Sequence, residues 1–188
     1  MLRMFWGYVK INQERIIYVL ICSLLFMFFF EGLQKNRKNP PKRTVNNKLS
    51  VWLLGLASSF ILIITLFGRE QGEFDFVLIP FYSYYKMFAN GNIEHSLQIV
   101  MNIMMYIPFS FFLLCCFKKL KKRHSLFISL ICAMTIEIIQ WYFQIGFFET
   151  DDIINNVLGA MIGALLYKIV FKIREKIIGK GLKETGDE

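Results

Sequence analysis

Apolar runs separated by short charged blocks make up most of this chain. Residues 16–30, 50–68, 97–117, 125–145 and 153–170 are almost wholly apolar, with Asn102, Glu137, Gln140, Asn155 and Asn156 as the main exceptions. A transmembrane helix needs about 20 such residues. The last four runs are near that length; the first is short for a span. It is read as an uncleaved first helix, because no small-residue cleavage site follows it and a basic loop comes next. The pattern predicts an all-α, polytopic helical bundle of about five spans. The chain divides into residues 1–48 (interfacial segment, first helix and basic loop), a membrane domain over 49–174, and a charged tail over 175–188.

The connecting blocks give this bundle an orientation. Residues 34–48 carry Lys35, Arg37, Lys38, Lys42, Arg43 and Lys48, with Pro40 and Pro41 stopping helix. Lys118, Lys119, Lys121, Lys122 and Arg123 form a second basic block, and Lys168, Lys172 and Arg174 close the last run. Lys and Arg accumulate on the cytoplasmic side, so the N-terminus is expected outside and the C-terminus inside. Residues 69–96 hold Glu70, Glu73, Asp75 and Glu94 against Arg69 and Lys86. They read as an external loop whose Leu78–Tyr85 portion dips into the interface. Residues 1–15 mix Phe5, Trp6 and Tyr8 with Arg3, Lys10 and Arg15, a headgroup-region composition.

Composition agrees. Hydrophobic residues are 55% of the chain, Phe occurs 20 times, and charged residues are 19%. The mean hydropathy is +0.45. These values place the chain among integral membrane proteins. The net charge of +8 is spread over blocks between spans, which is not a nucleic-acid-binding stripe. Cys22, Cys115, Cys116 and Cys132 lie inside apolar runs without metal-ligand spacing and read as small apolar fillers.

Candidate chemistry is concentrated where polar groups enter hydrocarbon. Glu137 sits in an otherwise apolar run, where a carboxyl costs roughly 2.5–3.5 kcal/mol even on lenient insertion scales. Gln140 and Gln144 follow at i+3 and i+7, expected on the same helix face. Asp151, Asp152, Asn155 and Asn156 open the last span, and Asn102 lies in the third. With Arg69, Pro80, Tyr82 and Tyr84 from the preceding loop, these are expected to converge on one outward-facing intramembrane pocket. Structural roles stand beside the functional ones. Thr150, Asp151 and Asp152 suit a helix start, the carboxylates facing the positive end of its dipole. Gly159 and Gly163 form a G-x-x-x-G packing face, Pro108 suits a kink, and Trp141 and Tyr142 suit interfacial anchors. Glu137 is either neutral and donating to Gln140 or Asn102, or ionised beside Arg69.

The same residues carry a resemblance. Glu137 and Gln140, followed by Asp151, Asp152, Asn155, Asn156, Gly159 and Gly163 at their spacing, resemble the VanZ-like family of bacterial membrane proteins. Leu78-Ile79-Pro80-Phe81-x-Ser83-Tyr84 and the run from Asn102 to Pro108 and Phe109 look like further pieces of it, so the likeness extends from about residue 69 to 167. The resemblance implies a multi-pass protein of the bacterial cell membrane, in Gram-positive organisms, related to low-level resistance to teicoplanin and other lipid-bearing glycopeptides. In a physical version of that role, Glu137, Gln140, Asp151, Asp152 and Asn156, supported by Asn102 and Arg69, engage a lipid-linked cell-wall precursor or lipoglycopeptide. Membrane lipids are the other expected partner. Asn and Gln would bond amide or sugar groups, and Arg69 an acidic or phosphate group. Two other readings stay open. One is an intramembrane enzyme acting on a lipid phosphate or envelope precursor. Glu137 would be its acid or base, and Asp151 and Asp152 would hold a divalent cation; no cofactor is expected otherwise. The other is a proton-coupled carrier, in which a homo-oligomer would supply the symmetry that one copy lacks.

Overall fold

The computed structural model describes residues 13–35, 45–67, 75–91, 93–117 and 119–184. Among these residues, six helices and one short strand pair follow in order: α1 Gln13–Lys35, α2 Val45–Leu66, β1 Phe76–Val77, α3 Tyr82–Asn90, α4 Ile93–Cys116, α5 Lys122–Tyr142, β2 Phe148–Glu149 and α6 Thr150–Glu184. The fold class is all-α, as the pattern predicts. Among the described residues, four stretches are long and apolar enough to cross a membrane: Lys48–Leu66, Ser96–Cys116, Lys122–Tyr142 and Thr150–Ile177. Five were expected, and α1 is the helix outside the four. Its uninterrupted apolar run, residues 16–30, is bounded by Arg15 and Glu31 and rises only about 22 Å, against a hydrocarbon core of about 30 Å.

The chain forms two compact units, one of Met1–Ile79 with Met134–Thr150, the other of Pro80–Ala133 with Asp151–Glu188. In the first, α1 lies close against α2. A Cβ on Gly55 would stand 2.8 Å from Phe26 Cδ1 and 3.1 Å from the Ser23 carbonyl oxygen, so glycine permits the approach. Val19, Ser23, Val51 and Leu54 are buried, and Lys48 pairs with Glu31 at 3.6 Å. β1 and β2 pair in parallel, Phe76 opposite Phe148 and Val77 opposite Glu149. The Phe76 ring also stands 4.9 Å, centroid to centroid, from Trp141. Two-residue strands leave no periodic pattern to read, which is why this pair was not anticipated.

In the second unit, the segment expected to be a loop contains a helix. Phe81 enters α3 with φ 64° and Gly91 leaves it with φ 60°. Pro80 and Gly91 are thus punctuation at the two ends of a helix rather than marks of irregular chain. Phe81, Tyr85 and Phe88 remain exposed on it. α4 carries Pro108 inside it and meets α6 without intervening side chains: a Cβ on Gly159 would fall 2.2 Å from the Ile103 carbonyl oxygen, and one on Gly163 2.3 Å from that of Ile107. Such close carbonyl approach suits Cα–H···O contacts. α4 joins α5 through the Ser110 and Ser125 hydroxyls, 3.0 Å apart. α5 begins at Lys122, inside the basic block, because residues 119–125 contain no Gly or Pro to delay it.

Candidate polar site at the start of helix α6

α6 begins at Thr150, so Asp151 and Asp152 occupy its first turn. Asp151 is only 2% exposed. Its Oδ1 accepts the Phe81 N–H at 2.5 Å and its Oδ2 the Ser83 N–H at 2.7 Å. Phe81 makes no side-chain cap of its own, so Asp151 satisfies the open amides of α3 from some seventy residues away. The carboxylate expected to serve its own helix start is therefore directed at another helix. Asp152, half-buried, accepts from Gln98 Nε2 at 3.3 and 3.2 Å.

One turn further, Tyr84 donates its hydroxyl to Asn155 Oδ1 at 2.5 Å. Burial, and then the charge of Asp151, push the Tyr84 phenol above its usual pKa of 10.0. That bond orients the Asn155 amide and leaves its Nδ2 buried, with no hydrogen-bond partner among the described residues. The same holds for Asn156 Oδ1 and Asn102 Nδ2. All three side chains are at least nine-tenths buried. Asn102 adjoins Ile103, the residue against which Gly159 packs, and Asn155 and Asn156 lie a turn before Gly159. On the chain, Asn102 is thus one residue, and Asn155 and Asn156 four and three residues, from the close approach of α4 and α6. Buried polar groups in proteins are nearly always bonded, so three such atoms near one helix crossing are unusual.

Glu137 and Gln140 belong to the first unit, whereas Asn102, Asp151, Asp152 and Asn156 belong to the second. Glu137, 3% exposed, accepts the Glu149 N–H at Oε2, 3.0 Å. Gln140 donates to the Thr65 carbonyl at 2.9 Å. Gln144 is not on their helix face, which corrects the i+7 expectation. α5 ends at Tyr142, the Gln144 N–H bonds the Trp141 carbonyl, and the Ile145 N–H bonds that of Gln140. With Gln144 at φ 57°, these bonds are a Schellman ending in which Gln144 takes the left-handed position. Arg69 and its expected support of the site lie outside the described residues.

Tyr84 and Asn155, both expected near the pocket, meet in the site, and Gln98 joins it without having been expected there. Gln98 was findable, four residues before Asn102 on the same helix face. Tyr84 and Asn155 stood in the motif runs, but their mutual bond needs the fold. Among the described residues, no group of three His, Cys, Asp or Glu side chains converges as a metal site.

Comparison with known proteins agrees with the residue pattern. No curated protein and no solved structure matches the chain. A family model described as VanZ/LLP1 matches residues 16–171, from the first apolar run of α1 to well into α6. On that match, the chain belongs to the VanZ/LLP1 family.

Proposed function

We propose that this VanZ-family protein lies in the bacterial cell membrane and uses the polar cluster at the start of α6 to engage a lipid-linked or lipid-bearing ligand from the outer leaflet. By doing so it contributes low-level resistance to teicoplanin and related lipoglycopeptides. One observation carries the reading: Asn102 Nδ2, Asn155 Nδ2 and Asn156 Oδ1 are buried and unpartnered among the described residues, within helices otherwise apolar enough to span a bilayer. A structural cluster would be expected to satisfy itself, because an unmade buried hydrogen bond costs about 1–3 kcal/mol. The outward orientation follows from the basic blocks at 34–48 and 118–123 and the acids around Asp151. A ligand reaching the cluster from that leaflet would keep its alkyl tail among the spans.

Glu137 supports a second reading, an intramembrane enzyme with this residue as acid or base. A 3%-exposed glutamate inside an apolar helix is the kind of group that does such work.

Susceptibility to teicoplanin and vancomycin in a sensitive Gram-positive host separates these. Cells expressing wild type, Asn156→Leu, Asp152→Asn or Glu137→Gln are compared at matched membrane abundance. Wild type is expected to protect against the lipid-bearing drug selectively, and Asn156→Leu and Asp152→Asn to lose that protection. Loss through Glu137→Gln alone would move the work to the enzymatic reading. Absence of protection by wild type would remove resistance as the role.

A further inference from the structure

The three unpartnered atoms are of two kinds. Asn102 and Asn155 each offer an amide NH2 group, and Asn156 offers a carbonyl oxygen. Two donor groups and one acceptor group can serve one secondary amide, whose carbonyl has a lone pair for each NH2 and whose nitrogen has one hydrogen for the carbonyl. We propose that the cluster recognises a single N-acyl amide group: its C=O takes the Asn102 and Asn155 Nδ2 hydrogens, and its N–H is given to Asn156 Oδ1. The proposal rests on the ligand-engaging reading above and narrows it to a chemical class.

Neighbouring headgroup chemistries fit less well. An ester supplies the carbonyl but has no hydrogen for Asn156. A fully ionised phosphate has none either, and would place its oxygens against the Asn156 carbonyl. Asp151 is turned to the backbone of α3, each of its oxygens accepting one N–H, from Phe81 and Ser83. The Tyr84 hydroxyl is likewise committed to Asn155. It therefore acts as a positioning group that fixes which end of the Asn155 amide faces the guest.

The test uses the full chain in amine-oxide micelles and reads the ligand-induced rise in unfolding temperature, which follows affinity by mass action. The probes are N-dodecylacetamide, dodecyl acetate, dodecyl phosphate and water-soluble N-methylacetamide. Wild type is expected to prefer the dodecyl amide to the ester roughly tenfold or more, the usual consequence of leaving a buried acceptor unpaired. N-methylacetamide distinguishes the source: stabilisation at the same free concentration would mean a soluble amide, and its failure a lipid-borne one.

Asn156→Leu removes the acceptor on which the guest's N–H depends, so it should abolish the amide-over-ester preference. Asn102→Leu removes a donor that both probes use, so it should weaken both and keep the preference. Replacing an unpartnered buried amide by an apolar side chain of similar size should leave the unliganded protein as stable or more so. Equal binding of amide and ester by wild type, survival of the preference in Asn156→Leu, or a loss of unliganded stability in both variants would overturn the proposal. Loss of drug protection with the amide preference intact would count against the resistance role alone.

Discussion

Asp151 and Asp152 show how adjacent residues of one type come to differ. The helix turns about 100° between them, which buries Asp151 against the amides of α3 and leaves Asp152 half-exposed beside Gln98. Tyr84 reports on this arrangement. Its phenol is raised above 10.0 by burial and then by the charge of Asp151, so the folded state holds the phenolic proton more tightly than the unfolded state. Its stabilising contribution is therefore complete below pH 10 and lost as pH rises through the raised folded value. Phenolate absorbance of wild type minus Tyr84→Phe, titrated in detergent, should show one tyrosine ionising later than pH 10. A difference curve centred at or below that pH would mean the Tyr84 environment is not as described. The same substitution deletes the bond to Asn155 and should cost about 1 kcal/mol of stability.

At the scale of elements, the α4–α6 crossing depends on two missing side chains. Gly159→Ala would drive a methyl group to 2.2 Å from the Ile103 carbonyl oxygen, a backbone atom that cannot rotate aside. Gly163→Ala does the same at Ile107, 2.3 Å away. Each should lower stability by about 1–3 kcal/mol, the usual range for overpacking, read as an earlier unfolding midpoint in detergent. Gly55→Ala is the milder comparison, because its nearest neighbour is the rotatable Phe26 ring at 2.8 Å. An unchanged midpoint in Gly159→Ala would mean that the helices do not approach at that point. The G-x-x-x-G spacing made this face legible before any coordinates, as hydrophobic run length did for α2, α4, α5 and α6. α3 was not legible, because its nine residues make only about two and a half turns and its N-terminal amides are satisfied by Asp151. Of the site, Asn102, Asp152 and Asn156 could be named from their setting in apolar runs. That Asp151 caps a distant helix and that Gln144 ends α5 in a left-handed turn depend on bonds that no sequence spacing specifies.

For the whole molecule, the passage of α1 decides whether the termini share one side of the membrane. By composition its apolar run is short, but its packing argues for crossing. Gly55 lies in the interior of the Lys48–Leu66 span, and Ser23 and Phe26 of α1 lie against it. Glu31 and Lys48 pair where the two helices are connected, and Val19, about 18 Å further along α1 at 1.5 Å per residue, is still buried. Leu24, Leu25, Phe28 and Phe29 meanwhile remain exposed, which suits lipid and would be costly in water. A helix that follows a spanning partner this far, with large apolar side chains outward, should pass through the bilayer with it, tilting or thinning the membrane locally to meet its length. On the positive-inside rule, the N-terminal end of α1 is then expected outside and residue 175 inside. In a background without Cys22, Cys115, Cys116 and Cys132, a membrane-impermeant maleimide should label Asn12→Cys in intact cells and Glu175→Cys only after lysis. Labelling of both only after lysis would leave α1 on the cytoplasmic face and the chain with four crossings. The proposed placement of the α6 start on the outer side would survive that result, because the basic blocks at 118–123 and 168–174 support it independently of α1.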